Sequence, residues 1–322
     1  MKIFPRPLSL GARVAVIAPS SPASDESLAS GLGYLREMGF EPIVGRSCRD
    51  NVPERGYLAA ESDAIKIDDI HWAFSDESID GIFCMKGGSG AGRLIRHLDA
   101  ALIALHPKVF VGYSDVTILH SFIASQCGFV TYHGPMVTSS SLSDGNGYTR
   151  RALMRAIAEE HSGDSFVAVS NPDGCAFVPV ARGVASGELV GGNLAVLCTT
   201  LGTVCEVDTA GRVVLLEDVD EEPYSVDRML NHLLNAGKLA DAAGILLGEF
   251  TGCEPPEKYR RRRVEDIVRD VLVPLGIPIL GGLRSGHGTH NVTLPLGACV
   301  ELDADFLSLR VKWGGPSEAS IR

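Results

Sequence analysis

The chain has 322 residues, 45% of them hydrophobic and 21% charged, enough apolar material for a full core and, at roughly 150 residues per domain, for two domains. Its 40 acidic residues outnumber 29 basic ones, a formal charge of -11, which argues against any sequence-independent grip on nucleic acid or anionic lipid. The eight cysteines form no Cys-x-x-Cys pair and several sit in apolar runs, as buried thiols do in a reducing compartment. The first apolar stretch, residues 14–18, is too short for a signal-peptide core or a membrane span. A cytoplasmic protein is expected, with no metal, no cofactor, and neither nucleic acid nor membrane as partner.

Residues 14–18 predict a strand ended by Pro19, and Leu28, Leu32, Leu35 and Met38 then recur at helical spacing until Gly39. Residues 79–85 predict a buried strand, 94–105 a helix, and 109–112 a strand running straight into Tyr113, Ser114 and Asp115. Strands alternating with helices imply a parallel sheet covered on both faces. A Ser-rich stretch at 138–145, a helix at 150–160 and turn-forming Ser170-Asn-Pro-Asp-Gly174 mark a domain boundary. The expected fold is α/β: residues 1–162 form an N-terminal parallel-sheet domain carrying a nucleophile elbow, 163–182 a linker, and 183–322 a C-terminal α+β domain. In that second part Gly191-Gly-Asn-Leu-Ala-Val opens a helix, 213–216 is a strand, 227–234 a helix and 243–247 a strand. The basic run Arg260 to Arg263, followed by Val264, Ile267, Val268 and Val271, reads as the solvated start of a helix.

Three segments carry residues fit for chemistry. Lys86-Gly-Gly-Ser-Gly-Ala-Gly92 follows a predicted strand and precedes a predicted helix, so its backbone N–H groups can cradle an anion or an oxyanion. Gly87 and Gly92 approach P-loop spacing, but Arg93 and Leu94 stand where Lys and Ser/Thr are needed; a tight turn is the plainer account. Ser114, at the end of an apolar strand and the start of a helix, fits a nucleophile elbow, with the N–H of Asp115 open to an oxyanion, and equally fits a helix N-cap. A nucleophilic serine needs a base and an acid to orient it. Glu217 ends the apolar run 213–216, as a functional carboxylate or as the first acid of an acidic surface loop. His287 lies between Gly286 and Gly288, which let the backbone bend freely around it. His287 and His290 have no Cys or acid beside them at zinc-ligand spacing, and His97, His106, His120 and His232 fall on or near predicted helices.

Together, Val16-Ile-Ala-Pro-Ser20, Gly87-Gly-Ser-Gly90, Gly112-Tyr-Ser-Asp-Val-Thr117, His133-Gly-Pro-Met136, Gly191-Gly-Asn-Leu-Ala195, Leu216-Glu-Asp-Val-Asp220 with Pro223-Tyr-Ser-Val-Asp-Arg228, and Gly286-His287 with Thr293-Leu-Pro-Leu-Gly297 resemble, in order, the LD-carboxypeptidase family of serine peptidases. That family also contains the microcin C self-immunity peptidases. The resemblance implies Ser114 as nucleophile, Glu217 as orienting acid and His287 as base, in a cleft between domains. It also implies a homodimer and, as substrate, a murein tetrapeptide cut between L-Lys or diaminopimelate and the terminal D-Ala during cell-wall recycling. The N–H groups of Gly88 and Asp115 are the expected oxyanion hole. Lys86 and Ser89 stand where the family carries Arg and Tyr, which leaves a wider pocket wall and a point charge in place of a planar fork. The alternatives are an amidase of the microcin C immunity type acting on aminoacyl-nucleotide conjugates, and a silent binding protein in which the glycine turn holds a small anion. An α/β-hydrolase esterase needs a glycine at Val116.

Overall fold

The computed structural model describes residues 2–49, 60–145, 147–159, 166–255 and 262–314. The first half of the chain alternates strand and helix: β1 (Arg13–Ile17), α1 (Asp25–Glu37), β2 (Glu41–Val44), α2 (Ala60–Ser75), β3 (Gly81–Cys84), α3 (Ala100–Leu105), β4 (Val109–Gly112), α4 (Thr117–Phe122), β5 (Thr131–His133) and α5 (Tyr148–Ile157). Helix α1 shows how local chemistry sets such an element. Ser24 caps it by accepting the Ser27 N–H at 3.2 Å, Asp25 and Glu26 oppose the dipole at its start, and Leu28 and Leu35 face the core. Gly39, at φ 89°, then turns the chain into β2.

The second half contributes β6 (Phe166–Val169), β7 (Val178–Ala181), β8 (Val184–Asn193), α6 (Leu194–Thr200), β9 (Val213–Val219), α7 (Pro223–Asn235), β10 (Gly244–Thr251), α8 (Val264–Val271), β11 (Ile279–Gly281), β12 (Leu294–Leu296), β13 (Cys299–Asp303) and β14 (Ser308–Lys312). Two sheets result. The first runs β12-β5-β4-β3-β1-β2 and is parallel except for β12, which pairs antiparallel with β5 through Leu294 and His133. A strand from late in the chain thus completes the sheet built by its first half. The second sheet runs β6-β14-β13-β8-β9-β10-β11-β7, parallel from β8 to β11 and antiparallel toward both edges. The fold is therefore α/β, as expected, and it is built on two sheets. Phe74 stacks on Phe110 and meets Phe129 edge-on, each at 6.0 Å, filling the space between α2 and the first sheet. Leu194, Leu230, Leu233 and Ile267 seal α6, α7 and α8 against the second.

Several expected elements are redrawn. The predicted helix at 94–105 forms only over α3, because Leu98 is extended and Asp99 starts a new helix by accepting the Leu102 N–H at 3.0 Å. The glycine turn consequently leads into a short 3-10 turn, Ala91–Arg93, and no α-helix begins there to hold an anion. The helix expected at 150–160 ends at Ile157, and Glu160 lies outside the described residues, as do Arg260 and Arg261. Arg262 pairs with Asp270 at 2.8 Å on the exposed side of α8. All eight cysteines are free thiols, four buried and four half-buried. No helix among the described residues is long and apolar enough to cross a membrane.

Candidate active site

Strand β4 is buried at every position and delivers the chain to Tyr113, which is extended, and then to Ser114 at φ 62°. Left-handed backbone at a non-glycine residue costs about 1–3 kcal/mol and persists only where the surroundings impose it. Here a 3-10 turn, Ser114–Val116, folds straight into α4. The reversal depends on Gly112, where a Cβ would stand 2.7 Å from Val116 Cγ1; the elbow so formed needs no glycine at 116. Ser114 and Asp115 are half-buried on its outer side.

The glycine turn after β3 closes over that elbow. A Cβ on Gly87 would lie 2.8 Å from Ser114 Cβ and 2.9 Å from its Oγ, so only glycine allows this approach. Gly88 and Gly90 both have positive φ and carry Lys86, Gly88 and Ser89 to the exposed surface. One serine and one aspartate side chain lock the turn. Ser21 Oγ accepts the Ser89 N–H at 3.0 Å while Ser21 donates its own N–H to Gly87 O at 3.1 Å, and Asp115 Oδ2 accepts the Ala91 N–H at 2.9 Å. Burial raises the Asp115 carboxyl above its ordinary value. Beneath the turn, buried Lys66 donates to Ser20 O at 2.6 Å, and desolvation lowers its ammonium.

Strand β9 brings the acid. Glu217 is fully buried and accepts from His287 Nδ1 through Oε2 at 2.8 Å, so it is no surface acid. Burial works against its charge, but the His133 and His287 imidazoles outweigh that and hold the carboxyl below its ordinary value. Its neighbour Asp218 points to the opposite face, as strand alternation requires. Asp218 accepts from Asn193 Nδ2 at 2.8 Å, Ala195 N at 2.9 Å and Val219 N at 2.9 Å, which clamps the start of α6, and burial pushes its pKa up to about 6.

His287 sits in the loop after β11. Gly286, at φ 119°, has no room for a side chain because a Cβ would be 2.5 Å from Glu217 Oε2, and a Cβ on Gly288 would overlap Glu249. The loop is pinned by Asn291, which accepts the Gly286 N–H at 3.2 Å and donates its own N–H to Thr149 Oγ1 at 3.1 Å. The His287 ring packs 4.7 Å from the ring of Tyr113, the residue immediately before Ser114. His290 turns away and meets Tyr148 edge-on. A cavity of about 800 Å³ opens beside His287, with Asp144, Glu249, Arg284 and Thr289 in its wall. Arg284 and Glu249 pair there at 2.6 Å, and Ser114 lies outside that wall.

The structure thus joins Glu217 of β9 to His287 of the loop after β11, packs His287 on the ring of Tyr113, the residue before Ser114, and lays Gly87 against Ser114, with Asp115 next in the chain and Lys86, Gly88 and Ser89 exposed on the glycine turn. Sequence reasoning assigned no role to three further contributors. His133, at the end of β5, is fully buried against Glu217; Ser21 holds the glycine turn; and Gly192, where a Cβ would be 2.7 Å from Thr117 Oγ1, lets β8 reach the elbow helix, whose Thr117 accepts the Asn193 N–H at 3.1 Å. His133 shares with Glu217 the one available signal, a polar residue closing a buried strand. The arrangement suits acyl transfer: an imidazole backed by a carboxylate, and a serine on a constrained turn with a glycine-rich turn laid over it.

Comparison with known proteins gives the family. Residues 14–134 match the family model of the LD-carboxypeptidase N-terminal domain, and residues 186–302 that of the LD-carboxypeptidase C-terminal domain. The chain is 39% identical to a probable murein peptide carboxypeptidase of Bacillus subtilis over 99% of its own length and 97% of that protein's. It is 30% identical to a murein tetrapeptide carboxypeptidase of Pseudomonas aeruginosa over 94% and 95% of the two chains. Among solved structures, a muramoyltetrapeptide carboxypeptidase from Oxalobacter formigenes superposes with a TM-score of 0.79 at 27% identity, covering 94% of this chain and 99% of that one. The microcin C7 self immunity protein MccF shares the fold, with a TM-score of 0.86 at 22% identity over 97% and 99% of the chains. A glycine turn laid over a strand-end serine, two matched domains and relatives spanning the full chain lead to one assignment: the chain belongs to the LD-carboxypeptidase family of peptidases.

Proposed function

We propose that the protein is a serine-type carboxypeptidase that cuts the amide joining L-Lys or diaminopimelate to the terminal D-Ala of murein tetrapeptides. The carrying observation is the His287–Glu217 hydrogen bond of 2.8 Å placed against Tyr113, next to the strained Ser114. His287 takes the Ser114 proton as Oγ attacks the scissile carbonyl; the tetrahedral oxyanion collapses to an acyl-enzyme as His287 protonates the leaving D-Ala amine. Water, deprotonated by the same imidazole, then releases the tripeptide. The amides of Gly88 and Asp115 receive the oxyanion, since the amide that follows each is already used: Ser89 N–H by Ser21 Oγ and Val116 N–H by Tyr113 O. Lys86, exposed on the turn, offers a cation to the terminal carboxylate, and Ser89 leaves the pocket wall open. The proposal includes a cytoplasmic homodimer acting in cell-wall recycling.

The likeness to MccF supports a second reading, an amidase acting on aminoacyl-nucleotide conjugates. Incubating the purified chain with murein tetrapeptide and, separately, with an aminoacyl sulfamoyl adenosine, followed by mass spectrometry, decides between them. Release of D-Ala alone is expected. Cleavage of the nucleotide conjugate alone would transfer the assignment, and inertness toward both together with no fluorophosphonate labelling of Ser114 would leave a binding protein.

A further inference from the structure

Glu217 has two carboxylate oxygens, and His287 uses one of them. Oε2 accepts from His287 Nδ1 at 2.8 Å, whereas Oε1 is buried without a hydrogen-bond partner. Facing it is His133 Nε2, likewise buried without a hydrogen-bond partner, 3.8 Å away. At that separation the two atoms attract as charges and dipoles but do not yet hydrogen-bond, and closing the gap takes a movement of about 1 Å or less. The opposite edge of the ring meets Ser285: His133 Nδ1 stands 3.3 Å from Ser285 Oγ. The ring has little freedom. His133 pairs through its backbone with Gly112 of β4 and Leu294 of β12, and Tyr113 packs edge-on at 5.8 Å. A buried carboxylate oxygen without a donor is costly, and the chain sets an imidazole against it.

We infer that His133 is a positioning residue for the reaction: its Nε2–H donates to Glu217 Oε1 and so holds Oε2 on His287 Nδ1. The carboxylate selects the tautomer, because Oε1 opposite Nε2 can only accept, while Ser285 Oγ, which also has Val292 O at 3.2 Å and Asn291 Oδ1 at 3.4 Å within reach, meets the other ring nitrogen at 3.3 Å. Glu217 is then gripped from both sides by imidazoles, one from the end of β5 and one from the loop after β11. The titratable groups packed around His133 are Glu217 from β9, Tyr113 from the elbow, His120 from α4 and, across Glu217, His287. His120 is neutral, its pKa driven to about 3 by burial. The inference rests on the triad reading above.

The test reads His287 itself, so that it does not depend on turnover. Carbon-detected histidine NMR titrations are run on the full chain carrying Ser114→Ala, alone and combined with His133→Phe or His133→Gln. Removing the donor leaves the Glu217 charge less compensated, so His287 holds its proton more tightly and titrates at higher pH in the Phe variant, by roughly half to one unit. Gln, whose amide N–H reaches the place of Nε2, restores the parent value. In the Ser114 background kcat falls about 10- to 100-fold with Phe, the range for losing a hydrogen bond to a charged group, and recovers with Gln. If Phe prevents folding, His133→Asn replaces it, since that shorter amide reaches Ser285 and not Glu217. An unchanged His287 titration in folded Phe or Asn variants, or a Gln variant that behaves like them, overturns the inference. Failure of the triad reading shows separately, as wild-type turnover in Ser114→Ala.

Discussion

Ser114 and the two adjacent acids, Glu217 and Asp218, are where single atoms decide the outcome. Replacing Ser114 by Ala deletes one half-buried hydroxyl and empties no core, so turnover is expected to fall by on the order of 10⁴ to 10⁶ with the fold intact. The alanine also sits at φ 62°, so a modest loss of stability is tolerable, but retained activity is not. The two acids separate by function. Glu217→Gln keeps the shape and loses the charge that steadies the imidazolium, and is expected to lower kcat by about 10³ to 10⁴. Asp218→Asn introduces an amide N–H₂ where three donors already converge and is expected to destabilise the fold by about 1–3 kcal/mol while kcat per folded molecule stays within a few-fold. Circular dichroism melts beside steady-state kinetics check both, and the reverse pattern would mean the wrong carboxylate has been chosen.

At the level of elements, function depends on turns that press backbone against backbone. Gly87 does not need positive φ, so Gly87→Ala tests contact alone: its methyl lands on Ser114, and kcat is expected to drop at least about tenfold for an overpacking cost of roughly 1–3 kcal/mol. Gly33→Ala, in α1 with open space around the new Cβ, is the control and is expected to stabilise by about 0.5–1 kcal/mol. A Gly87→Ala enzyme with normal kcat would show that the glycine turn does not abut the reacting serine. Which turns matter was partly readable beforehand. Ser114 and Glu217 stood out because an apolar run, buried on both faces, ends at each, and His287 because glycines flank it. The helix expected at 94–105 was over-read, since its leucine spacing continued through a position where Asp99 restarts the helix. The partnership of His133 with Glu217 left no local trace, because it joins strands of two different sheets. Strand β12 was equally hidden: three residues, Leu-Pro-Leu, tolerable with a central proline only because the strand lies at a sheet edge.

For the whole molecule, the buried histidine of α4 makes stability depend on acid. His120 bonds Thr131 Oγ1 and Gly112 O, each at 2.8 Å, and its folded pKa of about 3 lies below the ordinary 6.5. Between those values the unfolded chain binds the proton and the folded one does not, so stability falls as pH drops below 6.5, by up to about 1.4 kcal/mol per unit. Glu217, held below its ordinary value, adds loss in the same direction at lower pH. Melting temperatures from pH 7.5 to 4.5 are expected to decline less steeply in His120→Gln than in the parent, and parallel declines would exclude His120 as the source. The crossing of β12 into the first sheet bears on how the protein comes into being. During synthesis β5 emerges with one edge bare, and its partner strand is made only after residues 134–293, roughly 10–30 s later at ordinary translation rates. Glu217 and His287 arrive in that same interval. The nascent chain therefore carries a sticky strand edge throughout that interval, which makes β5 the place where a holding chaperone would be most useful.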